Sequence, residues 1–512
     1  MAYATGLPPA NAFSARGIEM TPELWTHIQQ LVSSSPGTIS RPLSFVGALF
    51  PFKIAMSNAI FEKNLTMNGA ILEDGCEFTD CTFKSGLGLQ YVDFRNGPGV
   101  FRNCTVEGYL SASWAHTGKH IAFMSSKMQD VDARGLSGTF QLNACTVTGS
   151  CSFKDSNFDN LVLASTLFEA DLDITNIEAA SIQAAGVRLP TAPVPKIGPL
   201  TAKRIDFDSV QFGHRVDLTA SADHIRFSGA AFPSGGRLKL GGGAVDLSRV
   251  TIGAPLAVIG DNTIAVTSIQ NADAGSLTLS HLDLSTCHFH GAHGLEAIGL
   301  ESTVRLRTPP RMRARRRCIA DEALWRSERG TWRSADWKIS PPPYESAWEA
   351  HQRANPKPYH EERRSASPAG VASVYRALRK SLEGRSNEPG AADFYYGEME
   401  MRRRDKSTSR PERAIIWIYW AVAGYGLRAS RAFAWLITAF LLGAFVMAEI
   451  GLKKRNDDPE DALVAAVEGL IPGVSSGMAL TSWGRFIDVL LTVIGPILLG
   501  VAALAIRNRV KR

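Results

Sequence analysis

The chain has 512 residues, 45% of them apolar, and seven cysteines, which is enough material for two or three domains around substantial cores. Its formal charge of +6 is unevenly spread: residues 57–300 carry 17 Lys or Arg against 24 Asp or Glu, whereas residues 301–512 carry 35 against 23. An acidic part followed by a basic part points to modules in different surroundings, and the odd, scattered cysteines argue against a disulfide framework.

Met1 to Ala15 lacks a basic start followed by an apolar run, so no signal peptide is read there and the first domain is expected in the cytoplasm. Residues 1–50 are expected to cap the domain that follows, through a helix in "TPELWTHIQQLVSSS". Thr21 suits the N-cap, Pro22 the first helical position, and Leu24, Ile28 and Leu31 form an apolar stripe.

From residue 51 the pattern changes. In "CSFKDSNFDNLVLASTLF" the large apolar residues Phe153, Phe158, Leu163 and Phe168 recur every five positions, a period that belongs to neither a helix nor a flat strand. Six cysteines sit two before a large residue: Cys76 with Phe78, Cys81 with Phe83, Cys104 with Val106, Cys145 with Val147, Cys151 with Phe153 and Cys287 with Phe289. Two apart on extended backbone means one face, so both members of each pair are expected to point inward. A five-residue step then makes one short extended side and a corner. Stacked sides bury a ladder of large residues beside a ladder of small ones, which no single unit can do alone.

These motifs resemble the pentapeptide-repeat family. The resemblance implies a right-handed, four-sided β-helix over residues 51–306, with the cysteines as small core residues. About twelve coils are expected, each of about twenty residues. The column is strict only in runs. Over residues 216–284 inward pairs continue ("IRF", "LKL", "VDL") while the register fades, and "RLPTAPVPKIGPL" (188–200) is expected to be a loop. "GGRLKLGGGAVDL" lacks the helix that would make its glycines a phosphate cradle, and is read as tight corners.

Residues 307–368 hold the Arg run "RMRARRRC" and a proline- and charge-rich stretch, and read as an exposed basic linker. Helical periodicity returns over residues 369–412, where Val371, Val374, Tyr375, Leu378 and Leu382 share a face. "VYRALRKSLEGRSNEPGAADFYYGEMEMRR", with "WIYWAVAGYGLRASRA" after it, is similar to the C-terminal region of actinobacterial pentapeptide-repeat membrane proteins. Some such proteins are labelled membrane-associated oxidoreductases. This chain has no strand-to-helix GxGxxG and no CxxC, and its "GVSSG" (473–477) follows a helical pattern rather than the strand of a nucleophile-elbow GxSxG, so no enzyme activity and no cofactor are expected.

Residues 413–512 form the membrane region. Residues 432–451 and 486–506 are long and apolar enough to cross, the second tolerating Pro496. Residues 414–427 are too short to cross and, with Trp417, Tyr419 and Trp420, read as an interfacial helix. Arg428 and Arg431 before the first span, and Arg507, Arg509, Lys511 and Arg512 after the second, place both termini in the cytoplasm of a bacterial inner-membrane protein. Lys453, Lys454 and Arg455 oppose that topology. Between the spans, residues 461–484 read as a half-helix and loop, either re-entering the membrane or resting as a short amphipathic helix on its outer surface. In the re-entrant case Pro472, Gly473 and Gly477 would form irregular backbone, and Glu468 and Asp488 would place negative charge near a pathway. The filter sequence TVGYG is absent, and "GYG" (424–426) is read as helical spacing.

His288, His290 and His293 form the one metal candidate, weighed against ordinary solvated histidines. The preferred reading is a non-enzymatic scaffold tethered to the membrane. Its partners would be membrane lipid, an unidentified protein and a second copy of the chain, without nucleic acid. The alternative is a channel-like pore with a cytoplasmic β-helical sensor.

Overall fold

The structure, a computed structural model, describes residues 13–35, 37–301, 303–308, 316–329, 366–451, 463–464, 466–467 and 481–510. The chain forms two compact units, the first holding residues up to 310 together with 319–323.

The first unit is a parallel β-solenoid of about 13 turns over residues 38–300. Four columns of parallel pairings give it four faces. The first face carries Ile54, Cys76, Gly99, Ile121, Phe140, Leu161 and Ile182 in register. The second carries Ile39, Phe61, Phe83, Val106, Met128, Val147 and Phe168. The third runs through Leu43, Leu65, Leu87, Leu110, Val131, Cys151 and Leu172, and the fourth through Phe50, Leu72, Phe94 and Thr117. Phe153, Phe158, Leu163 and Phe168 therefore fall on the third, fourth, first and second faces of one coil, and five residues is the length of one side.

The corners fix this geometry. Between the first and second faces a residue with positive φ recurs coil after coil: Asn58, Asp80, Asn103, Ser125, Ala144, Ser165, Gly186, Ser209, Gly229 and Arg249. Asn, Asp, Ser and Gly dominate because short polar side chains or none best tolerate the left-handed region. The spacing across this corner is constant at seven residues, as from Ile54 to Phe61 or Phe140 to Val147. Other corners absorb the variation: from fourth to first face, five residues from Phe94 to Gly99 but three from Phe158 to Leu161, and from second to third, four from Val106 to Leu110 but three from Met128 to Val131. Coils consequently shorten from 22 or 23 residues (Ile60 to Thr82 to Thr105) to 20 (Val216 to Gly236 to Leu256).

The register expected to fade over residues 216–284 is kept over 216–246 and slips by one residue only where Val245 pairs with Val266 but Asp246 with Ser268. Strand Val216–Arg226 pairs with Gly236–Asp246 at a constant offset of 20 residues along their whole length. The five-residue period is lost there because Val216–Arg226 has no left-handed residue, so one strand runs through what was a corner. Glycines now serve close approach: a Cβ on Gly236 or Gly242 would strike the carbonyl oxygen of Val216 or Ala222 in the coil below. The loop expected over 188–200 shrinks to residues 190–195, since Arg188–Leu189 and Lys196–Asp206 are strands.

Core packing follows from the stacking. Phe78 lies 5.3 Å from Phe101 and Phe101 4.5 Å from Phe123, ring planes within 9° of parallel. Those spacings are close to the strand-to-strand rise of about 4.8 Å. Beside the rings runs the small column Cys81, Cys104, Ser126, Cys145, Thr166. Cys104 Sγ donates to Phe78 O at 3.4 Å, Ser126 Oγ to Phe101 O at 3.4 Å, Cys145 Sγ to Phe123 O at 3.2 Å and Thr166 Oγ1 to Leu142 O at 3.0 Å. Thiol and hydroxyl thus do one job, satisfying a carbonyl of the preceding coil.

The cap helix, α1 (Pro22–Val32), is present and is inserted into the first coil, where Phe13–Ser14 already pairs with Leu43–Ser44. Thr21 Oγ1 accepts from Leu24 N at 3.2 Å. The solenoid begins before residue 51, and the buried face of α1 is Trp25 and Ile28, with Leu24 exposed. Trp25 closes the core against Phe45 and Phe50 at 5.4 and 5.9 Å. Near the other end, Asp321 Oδ2 accepts from Phe289 N at 2.9 Å, taking up a backbone donor of the last coils. Asp321 belongs to α2 (Ala320–Glu328), a helix inside the stretch read from composition as linker; residues 309–315 and 330–365 of that stretch lie outside the described residues.

The second unit is helical: α3 (Pro368–Gly384), α4 (Glu388–Arg404), α5 (Arg410–Ala423), α6 (Ala429–Val446, continued by a π-turn to Gly451) and α7 (Ser482–Val510). The helix passes through Pro496 without a break.

Two substitutions test the core. Phe101→Ala, in the middle of a ring stack, should cost about 3–5 kcal/mol of stability. Cys145→Ser should stay within about 1 kcal/mol of wild type, because Ser126 already fills that column, while Cys145→Leu overpacks it by about 1–3 kcal/mol. Chemical unfolding of the detergent-solubilised chain reads all three; a Ser variant as damaging as Leu would contradict the ladder.

Candidate functional site

Cys76, Phe78, Cys81, Phe83, Cys151, Phe153, Phe158, Leu163, Phe168, Cys287 and Phe289 are all buried in the solenoid, with no more than 2% of their surface exposed. Burial pushes the Cys76 thiol up to about 12 and the Cys145 thiol upward, so these two are protonated packing groups at neutral pH, whereas a hydrogen bond with Cys104 lowers the Cys81 thiol to about 7. The three histidines do not converge. His288 Nδ1 faces Asp321 Oδ1 at 3.7 Å, His290 and His293 are exposed, and among the described residues no three His, Cys, Asp or Glu side chains form a metal-sized group. A hollow of about 450 Å³ runs along the second face past Arg188, Gln211, Thr251 and Asp273.

The chemistry concentrates instead in the helical unit. Ser367 Oγ accepts from Gly370 N at 3.1 Å and Asn387 Oδ1 from Gly390 N at 3.2 Å, capping α3 and α4, each with proline in its first turn. The two helices pack closely because α4 has Gly397 against the buried Tyr375: a Cβ there would lie 2.6 Å from the Tyr375 ring.

Glu398 and Glu400 of α4 stand two apart, so they leave the helix on different sides. Both are nearly fully buried, and each collects its own guanidinium groups. Glu398 meets Arg376 at 3.0 Å, Arg379 at 3.7 Å and Arg402 at 4.0 Å. Glu400 meets Arg403 at 3.1 Å, Arg326 at 3.3 Å and Arg404 at 3.7 Å, and accepts a hydrogen bond from the Tyr425 hydroxyl at 3.2 Å. Burial alone would raise the Glu400 carboxyl, but Arg403, Arg326 and Arg404 outweigh it and hold its pKa below the ordinary value. The same carboxylate, after burial, pushes the Tyr425 hydroxyl upward.

Around this pair lies an aromatic shell. Arg316, from the Arg run read as exposed, is buried with its Cζ 5.9 Å from the Tyr375 ring and 5.5 Å from Tyr396. Arg403 lies 4.3 Å from Trp420, whose Nε1 donates to Tyr396 Oη at 3.2 Å. "GYG" is neither filter nor helical spacing. Gly424, Tyr425 and Gly426 all have positive φ and form the tight turn between α5 and α6, which drives Tyr425 onto Glu400.

α5 buries Ile416 and Ala423 and leaves Ile415, Trp417, Ile418 and Tyr419 exposed. α6 with its π-turn (to Ile450) and α7 (to Arg507) are each long and apolar enough to cross a membrane. Asp488 is half-buried in α7, while Glu468, Pro472, Gly473, Gly477 and Lys453 to Arg455 lie outside the described residues. The sequence reading missed Glu398 and Glu400. Their signal was present in "GEMEMRRR", a helix with no clean apolar stripe, carboxylates on two sides and arginines one turn on.

Comparison with models of known families, with curated proteins and with solved structures gives no match.

The buried carboxylate predicts a pH dependence. A depressed folded pKa contributes stability above the unfolded glutamate value, and that contribution is lost as pH falls through the folded value. Glu400→Gln should cost about 3–5 kcal/mol near neutrality, by leaving buried guanidinium groups uncompensated. The deficit should shrink on acidification. Thermal unfolding of both proteins between pH 3 and 7, about that range, checks it; a deficit independent of pH would contradict the assignment.

Proposed function

We propose that this chain is a membrane-anchored repeat protein of the pentapeptide-repeat type, acting as a non-enzymatic scaffold on the cytoplasmic side of a bacterial inner membrane. The observation that carries the anchor is the density of large apolar side chains exposed along α6 and α7. Ile437, Leu441, Leu442 and Phe445 on the first, and Phe486, Val489, Val493 and Ile497 on the second, are each more than half exposed. Such a surface is stable in lipid and is an aggregation hazard in water. The in-plane helix α5 extends the apolar face with Trp417 and Tyr419 at headgroup depth.

The scaffold reading draws on the solenoid. Its side chains are spent on a continuous inner core, and its outer faces are long, flat and studded with alternating charges such as Lys53–Glu77 and Arg226–Asp208. Broad faces of that kind suit protein partners better than the concave, mainly apolar pockets typical of small-molecule sites. The basic residues at the outer ends of the two spans, Arg428, Arg431, Arg507 and Arg509, support cytoplasmic placement of both ends.

Deletion from Ala366 onward is the test of the anchor, because α5 and Tyr425 pack on α4 and a later cut would strip it. The full chain should float with phospholipid vesicles after an alkaline wash, and the truncated chain should stay soluble with a β-type circular dichroism spectrum. Pelleting of the truncated chain with membranes would contradict the reading. Alkaline phosphatase fused after Arg512 should be inactive in a bacterial host, and a fluorescent protein fused there bright; the reverse pattern would overturn the topology.

A further inference from the structure

We infer that the turn between α5 and α6 is a binding site for the phosphate of an anionic phospholipid, with Arg428 and Arg431 as its ligands; this rests on the membrane reading and names the lipid class that the anchor selects. The helical block from residue 366 to 431 carries 12 Lys or Arg against 7 Asp or Glu, so its carboxylates do not suffice for its cations. Glu398 and Glu400 use Arg376, Arg379, Arg402, Arg403 and Arg404 of that block. Arg428 and Arg431 differ. Among the described residues neither reaches a carboxylate, and each rests on a ring instead: Arg428 Cζ lies 5.3 Å from the Tyr396 centroid and Arg431 Cζ 4.8 Å from that of Trp420. A ring orients a guanidinium without neutralising it, leaving its charge for another anion.

The backbone is built around this arrangement. Gly424 closes α5 in the left-handed conformation, φ +53°, and a Cβ there would lie 3.0 Å from Cβ, Cγ and Cδ of Arg428. The glycine therefore gives Arg428 room to fold back over the turn. Arg431 Nη1 donates to the Trp420 carbonyl at 2.8 Å, which fixes the side chain and uses one of its five donors. Trp435 Nε1 donates to the Ala421 carbonyl at 3.2 Å, tying the first turns of α6 to the end of α5. Arg428 is the N-cap residue of α6, and no side chain caps that helix. The positive end of the span and two oriented guanidinium groups thus meet at one point.

Position selects the anion. α5, with Ile415, Ile418 and Tyr419 exposed, lies along the headgroup layer, and α6 descends from it. Arg428 and Arg431 stand at that junction, where lipid phosphates are the most concentrated anions. A phosphodiester offers the two unesterified oxygens that a guanidinium fork recognises, and a net-anionic headgroup carries no ammonium to compete for the site.

The test uses the full chain in nonionic detergent and follows its thermal unfolding during titration with dioctanoyl-phosphatidylglycerol, dioctanoyl-phosphatidylcholine or inorganic phosphate. Flotation with pure phosphatidylcholine vesicles is scored in parallel. The wild type should float, and of the three additives phosphatidylglycerol should raise its unfolding midpoint most. R428Q/R431Q should bind phosphatidylglycerol about thirtyfold more weakly, at about fivefold for each charge removed near the surface. Since Arg431 also holds the turn, R428Q alone is the second variant, expected about fivefold weaker with the fold intact, and R428K/R431K should recover most of the loss. Equal phosphatidylglycerol binding by wild type and both Gln variants would overturn the site. So would inorganic phosphate matching phosphatidylglycerol, since the site would then be one for free anions. A wild type that fails to float would instead overturn the membrane reading, and the lipid site with it.

Discussion

The rise of about 4.8 Å between hydrogen-bonded strands is the constraint from which the first unit follows. Once coils repeat at that distance, every inward side chain must fit the one above and the one below. Flat phenylalanine rings do so by stacking, and Cys, Ser and Thr do so by donating to a carbonyl one coil away. The left-handed corner residues keep adjacent sides in phase, holding the first-to-second-face spacing at seven residues while coil length varies elsewhere. A change at one level therefore propagates along a column rather than staying in one coil, as in other stacked repeats.

The helical unit is organised by charge. Glu398 and Glu400 are buried carboxylates whose cost of desolvation is offset only because each is surrounded by guanidinium groups. Tyr425 joins the second of these clusters through a turn of three left-handed residues, so the network fixes where α6 begins. The packed polar block thus lies directly before the first of the two helices long and apolar enough to cross a membrane.

Much of the solenoid was legible in the sequence because its period is local. Phe153, Phe158, Leu163 and Phe168 announce four sides of a coil, and the small residue two before a large one announces the second ladder. What escaped was non-local. Over residues 216–284 the register is set by pairing to neighbouring coils, and no short-range period reports it once a strand runs through the corner. In α1 Ile28 is buried as read, but Trp25 takes the place expected of Leu24, because the core it covers comes from Phe45 and Phe50 further along the chain. The same holds for the helical unit. The apolar face of α3 was readable from periodicity and the two long apolar helices from length and composition, whereas Glu398 and Glu400 find partners as distant as Arg326 and Tyr425. Buried ion networks obey no short spacing rule.

The in-register stack can be measured directly by the distance between two spin labels placed on outward positions of one column. Ile60 and Gln211 are exposed on the second face and are joined by successive pairings through Thr82, Thr105, Lys127, Thr146, Leu167 and Arg188. Seven rises of about 4.8 Å place them about 34 Å apart, although 151 residues separate them in the chain. Pulsed electron resonance on the full chain in lipid nanodiscs should give a single narrow distribution near that value. A broad distribution, or one centred beyond about 45 Å, as seven rises of 4.8 Å do not allow, would contradict the stacked-coil account.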